Sequence, residues 1–596
     1  MDTILNVDLE TGLTRKDELS RELAEAHVGG RGLGAYLLWK MTDPGVPPLS
    51  GVSPLMFLVG PLTGLAPGGA QVCLVFKSPA TGTTIGHSLT GGNWAPELRM
   101  AGYLGLVLTG QCDTPKYLFI DGDKVQLCDA SHLWGKGTFE TEILLKKELR
   151  DPSVRVLSIG PAGENLVKFA SVQQEFFRSA ARGGPGAVMG SKKLKAVVVR
   201  GAGALPVADP SGFKSAWAKA LEALAGSREA TRRGYSLARW GSTISTVPHS
   251  DISELDVKNY REAWWEDVDK TGGLEYERQC RVKARSCYSC PISCMQLGVI
   301  PTGRHAGLTV NPDFDSTGTI GPGCMLTDLN GTVYLSRLGD DLGVDDASIG
   351  NVSGFAMECY EKGLLTRSDL GGIDLQWGNV EGMIELWHLI VARKGIGDLL
   401  AEGVKVAAEK IGGDAHKFAM HVKGLEMAGY AAQAHPDRAL QYAVGDRGGC
   451  HHYGLTLKEQ NDRVWADSLV VCSWHAAFIA PPLYLELLNA ATGWKLQPPD
   501  WDLAANRMLT LSRCYNLREG TRPLRDDVLP ERLHHDALSQ GPKAGAVYPL
   551  EKFEADRTAW YLDRGYDERG LPSPETLDRL GLEFTAGAID AIRAEG

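Results

Sequence analysis

Short apolar segments separated by glycine-containing turns dominate the first 200 residues of the chain. Branched and aromatic residues bounded by turn formers are typical of strands, and the pattern recurs in ILNVDL, LMFLVG, VCLVFK, LGLVLTG, KYLFI, KVQLC, VRVLSIG and KAVVVRG. Few long helical patterns interrupt these segments, so residues 1–210 are predicted to form an antiparallel, sheet-rich domain and not repeated βαβ units. The segment 201–212 is predicted to be its exit linker, and no repeat period is visible.

Apolar residues at three- and four-residue spacing replace this pattern after residue 210, which predicts amphipathic helices. The spacing is clear in FKSAWAKALEALAGS, GTVYLSRLGDDLG, SGFAMECYEKGLL, VEGMIELWHLIVARKG and IGDLLAEGVKVAAEKIG. We therefore expect one mainly helical domain at 211–415 and a second at 416–596, where Gly-rich loops alternate with helical segments. The predicted fold class is α+β, with a β-rich N-terminal domain followed by two mainly helical domains.

Charge and composition narrow the class of protein. A formal net charge of -11 disfavours binding to nucleic acid and docking on an anionic membrane. Neither a secretory signal nor an unbroken apolar span is visible, which favours a cytoplasmic protein without membrane insertion. Twelve cysteines are too few for a disulfide scaffold in 596 residues, so we expect free thiols or metal ligands.

Three cysteines fall on one short segment, SCYSCPISC. Cys287, Cys290 and Cys294 have the spacing C-x-x-C-x-x-x-C. This pattern suits a [4Fe–4S] cluster that takes its fourth ligand from elsewhere in the chain, with structural zinc and free thiols as the alternatives. Cys450 in RGGCHH and Cys472 in ADSLVVCSW are both candidates for the fourth ligand.

Glycine-rich loops in the first domain indicate a second kind of site. Glycine lets backbone amides approach an anion closely, and basic side chains near such loops neutralise it. The loops lie at 29–39, 60–64, 78–103, 158–172 and 178–201, with Arg31, Lys77, Arg182 and Lys192 in or beside them. Each glycine alone could serve a turn between strands, but together they predict a large phosphorylated cofactor.

The order of the motifs resembles one family across essentially the whole chain, the tungsten-containing aldehyde:ferredoxin oxidoreductases. The segments that carry the resemblance are GGRGLGAYLLW, GGNWAPELRMAGY, IGPAGENLVKFASV, RGGPGAVMGSKKLKAVVVRG and CYSCPISC. The resemblance implies a β domain that forms the base for a tungsten bis-molybdopterin cofactor (tungstopterin), covered by two helical domains. It also implies one [4Fe–4S] cluster beside a pterin, a Mg²⁺ ion that links the pterin phosphates, and an aldehyde substrate. Electrons would leave to ferredoxin or to an iron–sulfur or flavin subunit, in a homo-oligomer or hetero-oligomer.

The family's two D-x-x-G-L-[CD] segments, which contact the pterins, are similar to two segments of this chain. They are DDLGVD, with Asp340, Gly343 and Asp345, and DSLVVC, with Asp467, Val471 and Cys472. Valine replaces leucine in both, and Val470 replaces the glycine of the second. This resemblance selects Cys472 over Cys450 as the fourth cluster ligand.

The remaining cofactor contacts are also implied only by the resemblance. Gly92 and Asn93 belong to one cofactor-binding loop, and Asn93 and Gly183 are similar to the backbone positions near the magnesium ion. Lys77 and Arg182 would contact the pterin phosphates. Glu385 and His388 form an E-x-x-H pair on a predicted helix. We expect an ion pair there, because the upstream segment YLSR lacks the ligands for a metal shared between subunits.

For the chemistry, the resemblance implies an acid from a PEYE-like segment and a histidine after RGG. The chain has PDFD, which gives Asp315, and RGGCHH, which gives His451. Alternatives are that Asp313 or Asp315 caps the following helix and that the histidines are ordinary hydrogen-bonded residues. We expect aldehyde oxidation, with His451 bonding the substrate oxygen or taking a proton and Asp315 orienting water or relaying protons. Aryl-CoA reduction of the class II benzoyl-CoA reductase type and a zinc-stabilised scaffold without catalysis are the rivals.

Overall fold

The computed structural model describes residues 3–228 and 236–595. Strands dominate up to Arg200 and helices dominate after Pro210. This arrangement confirms the predicted α+β class, and residues 201–209 form the linker between the two regions. No helix in the described part of the chain is long and apolar enough to cross a membrane.

The first sheet contains the first six strands in the chain. They are β1 (Thr3–Asp8), β2 (Thr14–Glu18), β3 (Leu55–Leu58), β4 (Val72–Lys77), β5 (Ile85–Thr90) and β6 (Gly105–Thr109). Their spatial order is β2-β1-β6-β3-β4-β5. Strands β1 and β6 run parallel, and every other neighbouring pair in this sheet is antiparallel.

The second sheet repeats the topology of the first. Its strands are β7 (Lys116–Asp121), β8 (Lys124–Asp129), β9 (Arg155–Ser158), β10 (Val172–Gln174), β11 (Arg178–Ala180) and β12 (Leu194–Arg200). Their order is β8-β7-β12-β9-β10-β11, and β7 and β12 are the parallel pair. The N-terminal region is therefore an internal duplication that no sequence repeat reveals.

All eight predicted strands are present, and the N-terminal region contains four others that were not predicted. Strand β2 is a charged and exposed edge strand, and β5 contains glycine and polar residues. Strands β10 and β11 have three residues each. The helices of this region are α1 (Arg21–His27), α2 (Gly30–Met41), α3 (Trp94–Met100), α4 (Thr138–Glu148), α5 (Pro161–Glu164) and α6 (Pro185–Ser191).

The region after the linker is mainly helical, as predicted. Its helices up to residue 415 are α7 (Pro210–Leu224), α8 (Leu237–Trp240), α9 (Thr246–Asp251), α10 (Gly273–Gln279), α11 (Leu329–Leu342), α12 (Asp346–Glu361), α13 (Val380–Val391), α14 (Ile396–Leu400) and α15 (Val404–Ile411). A small antiparallel sheet interrupts them, with β13 (Arg281–Arg285), β14 (Met295–Val299) and β15 (Thr309–Val310). The cysteine segment is the loop between β13 and β14.

The last part of the chain begins with a short hairpin of β16 (His421–Val422) and β17 (Leu425–Glu426). Its helices are α16 (Pro436–Val444), α17 (Leu457–Leu469), α18 (Ser473–Ala476), α19 (Pro481–Thr492), α20 (Pro498–Arg518), α21 (Pro523–Asp526), α22 (Arg532–His535), α23 (Leu550–Asp563), α24 (Pro574–Arg579) and α25 (Ala586–Ala594). Every helical segment predicted from apolar spacing contains a helix.

The hydrophobic clusters do not follow the order of the chain. Helices α11 to α15 share one cluster with residues 162–187 of the first domain. Helix α7 shares a cluster with α17, α19 and α20, and residues 240–268 share another with 420–443 and 529–553. The segment before the cysteine loop thus packs with the C-terminal part of the chain. The domain boundary at 415 stays a prediction.

Helices α11 and α17 end in the same backbone conformation. Gly343 and Val470 follow them with φ of 76° and 56°, in the left-handed region. A β-branched residue adopts this region rarely, so its surroundings must hold Val470 there. These two turns carry the segments DDLGVD and DSLVVC.

Each of these turns rests on a glycine of a different sheet. A Cβ atom at Gly160, after β9, would overlap the carbonyl oxygen of Leu342, and one at Gly60, after β3, would overlap that of Leu469. Both glycines precede a proline, and both stand at equivalent places in the duplicated topology. Glycine is therefore required there so that the helix ends can approach the sheets.

Candidate active site

A cavity of about 500 Å³ lies where the two helix ends, the cysteine segment and the glycine loops meet. Ten of the sixteen residues predicted for the site line it: Arg182, Cys287, Cys290, Cys294, Asp315, Asp340, Asp345, His451, Asp467 and Cys472. They come from all three predicted domains, so the fold assembles this set from distant parts of the sequence.

The four predicted cluster ligands stand together at one part of the cavity wall. Burial raises the pKa of the Cys472 thiol to about 12, and the thiols of Cys294, Cys287 and Cys290 add to the effect. Burial likewise raises the pKa of Cys287 to about 11. In residues 3–228 and 236–595, no three His, Cys, Asp or Glu side chains converge on the position of a single metal ion.

Cys450, the other candidate for the fourth ligand, lies elsewhere. It is buried, and its sulfur accepts a hydrogen bond from Nη2 of Arg447 at 2.8 Å. It does not belong to the cavity wall. The structure thus groups Cys472, and not Cys450, with the cysteines of the loop.

Glycines of the first sheet hold both cysteine segments in place. The amide of Cys472 donates to the carbonyl oxygen of Gly68 at 3.1 Å, and the amide of Tyr288 donates to that of Gly92 at 3.0 Å. A Cβ atom at Gly91 would lie 2.9 Å from the sulfur of Cys287. A side chain at Gly91 would displace the Cys287 thiol, which explains this glycine of the segment 78–103.

Asp315 faces the cavity and does not cap the helix after it. Asp313 makes that contact, because its Oδ1 accepts from the amide and the hydroxyl of Ser316 at 3.0 and 3.1 Å. Asp315 makes no capping hydrogen bond, and its Oδ1 is buried without a partner among the described residues. The Asp315 carboxyl is thus available to a bound molecule.

The surroundings of Asp315 favour its protonated form. Both it and Asp313 line the cavity, and Oδ1 of Asp315 is buried. This burial, together with the nearby carboxyls of Asp313 and Asp345, raises the pKa of Asp315 to about 8, against the opposing effect of Arg182. Burial also raises the pKa of Asp340, well above its usual range. With a pKa of about 8, the carboxyl of Asp315 can exchange a proton near neutral pH.

His451 lies against aromatic side chains on the cavity wall. Its ring centroid is 5.0 Å from that of Tyr430 and 4.0 Å from that of His452. Burial, with smaller contributions from His452 and Arg438, holds the pKa of His451 well below its usual range. The ring is therefore neutral, and its Nδ1 is buried without a partner within the described ranges.

Two of the residues predicted to contact the pterins make strong contacts with the protein itself. Nη1 of Arg182 donates to Asp345 at 3.0 Å, and its Nη2 donates to the carbonyl oxygen of Gly449 at 2.8 Å. Its Nε, by contrast, is buried without a partner in the described chain. Asp467 pairs with the buried Arg31 at 3.1 Å.

Six predicted site residues do not line the cavity: Lys77, Gly92, Asn93, Gly183, Gly343 and Val471. Nζ of Lys77 pairs with Glu519 at 2.6 Å, and Nδ2 of Asn93 donates to Glu175 at 2.6 Å. The carbonyl oxygen of Gly183 accepts from the hydroxyl of Ser78 at 2.8 Å. Their roles at the pterin phosphates and magnesium stay predictions.

Outside the cavity, the predicted E-x-x-H pair lies on α13, where Glu385 and His388 are both exposed. Among the described residues, no ion pair joins these two side chains.

Sequence reasoning missed several side chains on the cavity wall, among them Arg178, His475, Tyr430 and Arg438. Arg438 pairs with Glu254 at 2.9 Å and lies over the ring of Tyr430 at 4.7 Å. His475 follows Cys472 by three residues, which places it on the same turn of chain. That spacing was the one available signal.

Comparison with known proteins identifies the family. Residues 4–201 match "Aldehyde ferredoxin oxidoreductase, N-terminal domain", and residues 216–582 match "Aldehyde ferredoxin oxidoreductase, domains 2 & 3". The chain is 34% identical to a tungsten-containing aldehyde ferredoxin oxidoreductase of Pyrococcus furiosus, over 97% of this chain and 98% of that protein. It is also 34% identical to an aliphatic sulfonate oxidoreductase, WOR-like subunit, of the same organism, over 99% of this chain and 98% of that one.

A solved structure is similar along almost the entire fold. It is the active site complex of benzoyl coenzyme A reductase with 1,5-dienoyl-CoA, with a TM-score of 0.85 and 28% identity over 98% of this chain and 97% of that one. Both halves of the chain match an enzyme family, which argues against a scaffold without catalysis. The chain belongs to the aldehyde ferredoxin oxidoreductase family and is an oxidoreductase.

Proposed function

We propose that the protein oxidises an aldehyde to a carboxylic acid at a tungsten bis-molybdopterin cofactor. The electrons then leave through a [4Fe–4S] cluster to ferredoxin or to an electron-transfer subunit. The observation that carries this proposal is the single cavity, whose wall holds the four thiols as well as Asp315 and His451. Relatives named for aldehyde oxidation are 34% identical over 97% of the chain.

The residues of the cavity fit such cofactors. Buried polar atoms of Arg182, Asp315 and His451 have no partner within the described chain, and buried polar groups are seldom left so unless a ligand completes them. The guanidinium of Arg178 lies beside the cysteine sulfurs, where a cation offsets the negative charge of a thiolate-bound cluster. The part of the cavity with Arg182, Asp315 and His451 therefore matches the chemistry of a pterin cofactor with its substrate, and the part with Arg178 and the cysteines matches that of an iron–sulfur cluster.

The assignments follow from the cavity wall. The four cysteines would hold the cluster, and Arg182, Asp340, Asp345 and Asp467 would contact the pterins. Lys77, Gly92, Asn93 and Gly183 would serve the phosphates and the Mg²⁺ ion, with Gly343 and Val471 shaping the two turns. When bound, the tungsten centre would accept the two electrons of the oxidation, and the cluster would pass them on singly.

Asp315 and His451 would handle the protons. Oxidation of an aldehyde to a carboxylic acid, with water as the source of oxygen, releases two protons and two electrons, so groups that accept or pass on protons must stand near the carbonyl carbon. The neutral ring of His451 offers both a donor and an acceptor nitrogen. The carboxyl of Asp315, with a pKa of about 8, can pass a proton on near neutral pH. Phe314 and Tyr430, stacked at 4.5 Å, give the carbon chain an apolar wall.

Reduction of an aryl-CoA thioester is the second candidate. The similar benzoyl coenzyme A reductase complex, at a TM-score of 0.85, favours it. The segment PDFD favours it as well, because the side chain of Asp315 is one methylene shorter than the glutamate that the resemblance to aldehyde oxidoreductases implies. The higher identity to proteins named for aldehyde oxidation places it second.

Anaerobically purified holoenzyme, assayed with a viologen dye, separates the two candidates. We expect oxidation of aliphatic or aromatic aldehydes and no reduction of an aryl-CoA thioester. His451→Asn should lower kcat for the aldehyde roughly 10²- to 10⁴-fold, as loss of a positioned acid–base group does. His132→Asn, an exposed histidine, is the matched control. Reduction of the aromatic ring of the aryl-CoA thioester, without any aldehyde oxidation, would contradict the proposal.

Iron analysis tests the fourth ligand. We expect about four irons per wild-type chain and a loss of iron in Cys472→Ser, because a hydroxyl is a poor ligand for an iron–sulfur cluster. Cys450→Ser should retain the iron, since its sulfur only accepts a hydrogen bond from Arg447. The assignment fails if the two variants exchange these results, or if zinc replaces iron in the wild type.

The stability of Asp315→Asn should depend on pH. Asp315 has a raised pKa, about 8 against the ordinary 3.8. Below about pH 4 the carboxyl is protonated in the folded and the unfolded chain, so the difference has no effect. As pH rises towards 8 only the unfolded chain ionises, which lowers the free energy of unfolding of the wild type.

Asp315→Asn removes this penalty. Its free energy of unfolding should exceed that of the wild type at about pH 7.5 by on the order of 2 kcal/mol, after allowing for water in the cavity, and by less at about pH 5. The thermal midpoint of the variant should therefore lie above that of the wild type at about pH 7.5 and closer to it at about pH 5. Asp43→Asn, an exposed carboxyl, should show no such trend. A midpoint difference that stays constant with pH would show that Asp315 is ionised in the folded protein.

A further inference from the structure

Two polar side chains outside the proposed ligand set lie beside the cysteine sulfurs. They are Arg178, at the start of β11, and His475, on α18. Both line the cavity. They are far apart in the sequence, so their meeting at the cysteines is a property of the fold and not of one motif.

Arg178 places a cation beside the cysteines of the loop. Its Nη2 points at the sulfur of Cys294 at 3.9 Å, and the thiols of Cys287 and Cys472 also interact with its charge. Its Nε is buried without a partner among the described residues. The charge of the same guanidinium also acts on the carboxyl of Asp340, which lines the cavity as well.

His475 is almost fully enclosed, with 1% of its surface exposed. Its Nε2 lies 3.5 Å from the sulfur of Cys290, and its Nδ1 has no partner in the described part of the chain. Gly68 makes room for the ring, because a Cβ atom there would overlap it. The tautomer with its proton on Nε2 donates to Cys290, so the chain around Cys472 also contacts a ligand of the loop.

We propose that Arg178 and His475 set the reduction potential of the cluster, by holding a fixed positive charge and an N–H donor against its cysteine ligands. This inference rests on the proposed cluster. The reduced cluster carries one more negative charge than the oxidised one, so a nearby cation and an N–H donor to sulfur stabilise the reduced form more. Both residues therefore raise the potential and favour electron transfer from the cavity to the cluster. They are positioning residues, since neither replaces a ligand.

The test is a redox titration of the anaerobic holoenzyme, with dithionite as the one-electron reductant and the reduced cluster followed by electron paramagnetic resonance. Arg178→Met keeps the length of the side chain and removes its charge. We expect the reduction equilibrium to fall at least tenfold, which is a midpoint about 59 mV more negative for one electron. Arg178→Lys should restore most of the difference.

For His475, the Phe variant keeps the ring and removes the donor. We expect a shift in the same direction, roughly threefold to tenfold in the reduction equilibrium, as for the loss of one hydrogen bond. His475→Gln, which returns an N–H group, should recover part of it. Arg15→Met and His132→Phe, at exposed positions outside the cavity, should leave the potential unchanged.

Iron content separates this inference from the proposed function. A wild type without iron would refute the cluster itself. A wild type with about four irons, and variants whose potentials stay at the wild-type value, would refute only the tuning role. If Arg178→Met fails to assemble the cluster, the iron content and the potential of Arg178→Lys test the tuning role instead. Iron and potential close to the wild type support the role of charge, and loss of iron with the charge retained overturns it.

Discussion

Close approach of two helix ends to two sheets is the constraint on which the rest of the structure depends. Gly160 and Gly60 have no side chain, so the turns after α11 and α17 can lie directly against the loops that follow β9 and β3 in the duplicated sheets. Those turns fix Asp340 and Asp345 on one side of the cavity, and Asp467 and Cys472 on the other. A side chain at Gly160 would overlap the end of α11, and one at Gly60 would overlap the end of α17, which precedes Cys472.

The titratable and charged groups of the cavity fall into two sets, one of acidic and histidine side chains and one of cysteines with a nearby arginine. At the acidic end, burial favours the protonated form of Asp315 and the neutral form of His451 near neutral pH, so the carboxyl can give up a proton and the unprotonated ring nitrogen can accept one. At the thiol end, Arg178 supplies a permanent cation. Under the proposed function, separate groups of one cavity would handle the protons and the electrons that the oxidation yields.

The sequence predicted the fold class, the eight most apolar strands and the long helices, because these depend on local spacing. It could not show the duplication of the sheets, which lies in the order of strands and not in repeated residues. Cys287, Cys290 and Cys294 were visible from spacing alone, whereas Cys472 depended on resemblance. Arg178 and His475 gave no motif, since their importance comes only from contacts made across 116 and 185 residues of sequence. Lys77 and Asn93 were predicted to meet the cofactor, yet the structure pairs them with Glu519 and Glu175.

The central claim is that substrate electrons pass from the cavity to the four-cysteine group. The most direct measurement is electron paramagnetic resonance of oxidised, anaerobic holoenzyme after addition of an aldehyde, without any electron acceptor. The account predicts that the signal of the reduced [4Fe–4S] cluster appears with the aldehyde and does not appear with the corresponding carboxylate. A cluster that dithionite reduces but that no aldehyde reduces would contradict it.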